Sequence, residues 1–140
     1  MPADCQATEV DAPPEACFDA LMDADALPSW QGAVKAARVL EVDAVKGTLV
    51  EFEVDAKVKT VTYRLWQVPE RPHRLGCVYA GGDFRDLSGE WRFEALPGER
   101  TRVELELDVD PGRFVPGPVR RLVRDAVMRR ALEDLRRHLG

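Results

Sequence analysis

The segment Arg102–Asp110 alternates without a break: Val103, Leu105, Leu107 and Val109 on one parity, Glu104, Glu106, Asp108 and Asp110 on the other. A helix would scatter these side chains around its axis, whereas an extended strand sends them to opposite faces. One face is apolar and the other wet, the pattern of an antiparallel sheet covered on a single side. The alternation recurs. Thr48–Ala56 sets Val50, Phe52, Val54 and Ala56 against Glu51, Glu53 and Asp55. Thr60–Val68 sets Val61, Tyr63, Leu65 and Gln67 against Thr62, Arg64 and Trp66. Arg74–Ala80 groups Leu75, Cys77 and Tyr79, and Leu87–Leu96 groups Leu87, Gly89, Trp91 and Phe93. Val34–Val42 alternates weakly, and Cys5–Val10 reads as a first strand.

Between the first two strands the period changes. Pro14, Phe18, Leu21 and Met22 recur at helical spacing after Asp11, predicting a helix over Pro13–Met22. A second short helical turn covers Ala24–Trp30 and is broken by Pro28. A long helix spans Pro118–Leu139. Gly81-Gly82 reads as a turn, and Pro97-Gly98-Glu99 as a hairpin connection. The whole chain, 1–140, is expected to form one α+β domain: a curved seven-stranded antiparallel sheet wrapped around a long C-terminal helix, with two short helices after strand 1.

Charge and cysteine usage narrow the function classes. A net charge of −5 disfavours DNA as a partner. No apolar run approaches the ~20 residues of a membrane span, and the polar, acidic start has no secretory pattern, so a cytoplasmic location is expected. Cys5, Cys17 and Cys77 have no metal-ligand spacing, so neither metal nor cofactor is expected. His73 and Cys77 are separated by about 13 Å along an extended strand, too far to pair as a thiol nucleophile and its base. Glu51/Glu53 and Glu104/Glu106 lie opposite apolar residues and read as a solvated face.

The stretch from Gly81 to Leu96 carries a more specific signal. Gly82, Phe84, Leu87, Gly89, Trp91 and Phe93 resemble a glycine–proline–phenylalanine, leucine, glycine, tryptophan, phenylalanine pattern, with Asp83 in place of the proline. That pattern belongs to the START-like (SRPBCC, helix-grip) superfamily, in the branch of polyketide cyclases, coenzyme-Q-binding chaperones and the ribosome-association toxin. Asp11-Ala12-Pro13-Pro14-Glu15 and Pro116 also fit it. The resemblance implies an elongated apolar cavity between sheet and C-terminal helix, lined, together with parity, by Phe52, Tyr63, Leu65, Gln67, Tyr79, Trp91 and Leu105. Tyr63, Gln67 and Tyr79 would supply hydrogen bonds, and Trp30 would flank the mouth as a gate or as ordinary packing.

Three functions follow from that resemblance. The first is binding or transport of a hydrophobic small molecule (a lipid, a quinone or a polyketide-like compound) without catalysis. The second is a polyketide cyclase or dehydratase, although Gln67 stands where a cyclase arginine is expected, Leu65 where a serine is expected, and Arg64 has the opposite parity. The third is ribosome or protein association through the terminal helix. Arg113–Gly140 holds eight arginines against three carboxylates. In that helix Val119, Leu122, Val123 and Ala126 cluster on one face, and Met128, Leu132, Leu135 and Leu139 almost opposite. A straight helix on a flat sheet cannot bury both. Either the helix bends near Ala126–Met128, or one face covers the cavity mouth or meets a membrane surface, a partner or a second copy in a homodimer.

Overall fold

A computed structural model describes residues 4–55, 60–110, 112 and 117–140, with the side chains of residues 4, 117–120, 122 and 123 left aside. Among the described residues, seven strands and three helices follow in the order β1 (Asp4–Val10), α1 (Pro14–Met22), α2 (Leu27–Trp30), β2 (Val34–Asp43), β3 (Gly47–Asp55), β4 (Thr60–Glu70), β5 (Arg74–Gly82), β6 (Asp86–Leu96), β7 (Arg100–Asp110) and α3 (Gly117–Leu139). The strands form one curved antiparallel sheet in the order β1-β7-β6-β5-β4-β3-β2, so consecutive hairpins run from β2 to β7 and β1 closes on β7. The alternation read from the sequence is the parity observed: Val103, Leu105 and Phe93 are buried toward the helices, while Glu104, Glu106 and Arg92 face outward.

The outward carboxylates are paired rather than merely solvated. Glu51 bridges Arg38 and Arg64, and Glu104 bridges Arg92 and Arg102. Hydrogen bonds from those arginines hold both carboxyl groups below the usual carboxylate range. These pairs lie on the outer face and are exposed or only part-buried, so each contributes little to stability, but together they keep that face charged.

Proline sets both short helices. Pro13 is the N-cap residue of α1 and Pro14 lies in its first turn, where the missing amide costs no hydrogen bond. Pro28 sits in the same permitted place in α2, so it opens that helix rather than breaking it. Gly81-Gly82 departs from the expected turn. The strand continues through both glycines, which have φ of 108° and 139°, and the turn comes at Asp83–Arg85. The register between β4 and β5 slips between Tyr63 and Leu65, and a Cβ at Gly82 would collide with the β4 backbone at Thr62 and Tyr63. Glycine is the residue that tolerates both that φ and that approach.

Helix α3 packs mainly on β1 and β7. Met128, Leu132 and Leu135 are buried to 3% exposure or less, so the second of the two predicted apolar faces grips the sheet in the C-terminal half. Ala126 and Val127 are exposed. Val119, Leu122 and Val123, which carry most of the other predicted face, lie outside the described side chains. Ala56, placed by parity with Val54, is outside the described residues.

Candidate functional site

The buried apolar residues do not form one body. One cluster joins Val10, Phe18, Leu21, Leu75, Phe93, Val103 and Leu105 to Met128, Leu132 and Leu135 of α3. A second joins Ala24, Leu27, Ala37, Val50, Phe52, Leu65 and Leu87. Among the described residues, only the half-buried Trp30 and Leu107 pack against both. The pairing registers explain the division. Side chains of inward parity form rows across the strands. One row holds Leu75, Trp91 and Leu105; the next but one holds Val50, Leu65 and Tyr79. Between them runs the row Thr48, Gln67, Cys77, Gly89 and Leu107, whose members are matched strand to strand.

That middle row is made of small or polar side chains except at its Leu107 end, and Gly89 contributes none. A Cβ at Gly89 would collide with the carbonyl oxygen of Glu106, so the neighbouring strand's approach demands glycine and leaves a bare patch on the inner face. Thr48, Cys77, Gly89 and Leu107 all retain accessible surface although they face inward. Tyr63 and Cys77 sharpen the point. Burial raises the Tyr63 phenol and pushes the Cys77 thiol up to about 12, yet both residues remain only half-buried. Both are enclosed by surrounding protein yet keep accessible surface on the inner face of the sheet. Both stay protonated near neutral pH, so neither is a ready base or nucleophile there.

The polar lining is distinct in each place. Gln67 is 6% exposed, and its side-chain amide has no hydrogen-bond partner among the described residues. Tyr63 stacks on Phe52 at 5.5 Å and tilts against Phe84 at 5.3 Å. The Tyr79 hydroxyl, expected to meet a guest, instead donates to the Phe84 carbonyl (2.7 Å) and accepts from the Phe84 amide (3.1 Å), pinning the β5–β6 turn. Phe52, Leu65 and Leu105, at 7%, 6% and 5% exposure, are packed within the two clusters, whereas Trp91 is half-buried at the edge of the first. Sequence parity does not single out Thr48, Cys77, Gly89 and Leu107 as lining; parity identifies a face, but only register identifies a row.

The end of the site near α2 is latched. The Trp30 ring stacks on His138 at 4.6 Å and 4°. The Gln31 amide donates to the Ala131 carbonyl (3.3 Å), and the Gly32 N–H donates to Asp134 Oδ2 (2.9 Å). This stack ties α2 to the C-terminal half of α3. Opposite the sheet, Arg124 lies on the same helical arc as Met128 and Leu135; its side chain is 13% exposed and its Nε is 3.6 Å from Asp125 Oδ1. Arg64 faces outward onto Glu51 at 3.0 Å, as its parity predicts. Among the described residues, no group of histidine, cysteine and carboxylate side chains is arranged to hold a metal ion, and no helix is long and apolar enough to cross a membrane.

Comparison with known proteins agrees with this architecture. The family described as polyketide cyclase / dehydrase and lipid transport matches residues 10–136. No curated protein matches the chain. A START superfamily protein from Mycobacterium smegmatis superposes with a TM-score of 0.90 at 17% identity, covering 99% of this chain and 97% of that one. The Zhui aromatase/cyclase from Streptomyces sp. R1128 gives 0.77 at 20% identity, covering 97% and 92%. A protein of Thermus thermophilus gives 0.76 at 24%, covering 99% and 94%. With the helix-gripping sheet and the matched span together, the chain belongs to the polyketide cyclase / dehydrase and lipid transport family, within the START-like superfamily.

Proposed function

We propose that this protein binds and carries a hydrophobic small molecule, of the lipid, quinone or polyketide-like kind, in the space between sheet and α3, without transforming it. The observation that carries the reading is the divided core: two tight clusters with an inward row between them in which Thr48, Cys77, Gly89 and Leu107 keep accessible surface and Gln67 is a buried polar side chain. A guest laid along that row is held by apolar transfer, about 0.8 kcal/mol for each methylene it buries. The polar tips of Gln67 and Tyr63 orient it. Binding is favoured over cyclisation because the inward titratable groups, Tyr63 and Cys77, are held in their protonated forms, and the β4 arginine, Arg64, points away.

Native mass spectrometry of the protein purified from its own host tests this. The expected result is a one-to-one adduct that organic solvent extracts as an apolar compound. Recovery of bare protein, with sedimentation on ribosomes instead, would move the function to the arginines of α3.

A further inference from the structure

We infer that the hollow selects an uncharged guest, one whose polar end is a carbonyl or hydroxyl group anchored on the side-chain amide of Gln67, and that it discriminates against carboxylates. This rests on the binding role proposed above and adds the chemistry of the guest's polar end.

The anchor is unusual. Gln67 is more than nine-tenths buried, points inward between Thr48 and Cys77, and has no hydrogen-bond partner among the described residues. An amide offers two donors and one acceptor, and here none of them is taken up by a described residue. A side chain kept in that state in the empty protein is poised for a guest that supplies the missing partner. Its inward neighbours are neutral as well. Among the described side chains, no charged residue belongs to the inward rows of β3 to β7. An ionised carboxylate brought against that wall would lose its water and gain no countercharge from it.

The rival anchor is Arg124 on the opposite wall. It comes with its own carboxylate, since Asp125 Oδ1 lies 3.6 Å from its Nε, so a guest anion would compete with a group already in place. A hydrogen bond that completes a buried, unmatched amide is worth roughly tenfold or more in affinity.

The test uses the full chain and diphenylhexatriene, a fluorescent hydrocarbon with no polar atom. Methyl undecyl ketone and dodecanoate, the latter ionised at about pH 7.5, compete for it. The ketone is expected to displace the probe at a concentration at least about tenfold below that of dodecanoate. In Gln67→Leu, ketone affinity should fall about tenfold while diphenylhexatriene binding is retained. The same change removes no hydrogen bond made within the protein, so the empty variant should melt no lower than the parent. Lost ketone affinity beside retained probe binding and an undiminished melting temperature would not arise from misfolding. Equal or tighter binding of dodecanoate, lost in Arg124→Gln, would overturn the inference, as would a ketone affinity indifferent to Gln67→Leu. Failure of diphenylhexatriene itself to bind the parent protein would instead remove the hollow on which the inference stands.

Discussion

Leu135→Ala should lower the stability of the protein by about 2–5 kcal/mol, enough to bring its melting temperature down by ~10 °C or more. Leu135 is 0% exposed and lies in the cluster that joins α3 to α1 and to strands β1, β5, β6 and β7. Truncating it removes the transfer energy of the side chain and leaves a void that the packed neighbours cannot refill. Met128, also 0% exposed, is the equivalent position two turns earlier. Val127→Ala provides the contrast. Val127 directly precedes Met128 yet is 45% exposed, so its truncation should change stability by no more than about 0.5 kcal/mol. Thermal melts of the two variants side by side check this. Similar losses from both would mean that α3 buries more than the arc of Met128, Leu132 and Leu135.

Cys77→Phe should abolish uptake of an apolar probe, with affinity falling by at least about thirtyfold, while stability stays level or rises. The sign of the stability change is what separates a hollow from a solid core. In a solid core an added ring forces neighbours off their rotamers and costs about 1–3 kcal/mol. Cys77 faces Gln67 on one flank and the bare backbone of Gly89 on the other, and it retains accessible surface. A phenyl ring placed there occupies the room a guest would take and buries its own apolar area. Probe titration and a melt on the same sample decide the matter: lost binding with a lower melting temperature would identify Cys77 as ordinary core.

Much of the fold was legible because a sheet covered on one side imposes a period of two on its strands. Val103, Leu105, Leu107 and Val109 identify β7 and its inner face at once. Proline at the first turn of α1 was equally readable. The Gly81-Gly82 pair was not, because the same residues serve a tight turn and a strand whose partner approaches closely; only the slip in register at Tyr63 distinguishes them. The candidate site was legible in part. Parity put Tyr63, Gln67 and Trp91 on the inner face, but parity is common to packed and unpacked positions. Leu65 is enclosed at 6% exposure while Cys77, on the next strand and of the same parity, keeps accessible surface. They lie in different rows, and rows are set by how the hairpins align, a long-range property that no local pattern carries. Tyr79 shows a second limit: its hydroxyl is consumed by the backbone of Phe84, five residues on, through a turn geometry invisible in composition.

The α3 helix joins these observations. Its C-terminal half is apolar toward the sheet and fastens the first cluster, while farther toward the N-terminus the same arc carries Arg124. The Trp30–His138 stack belongs to the gripping end.

Xenon under pressure reports on apolar empty space without regard to the natural guest, since it enters dry cavities and leaves packed cores alone. Crystals of the ligand-free protein pressurised with xenon should show an atom between the two clusters, above Gly89 and against Cys77, Leu107 and Trp91. Xenon absent from that position, in crystals that take it up elsewhere, would contradict the divided core and the binding role built on it.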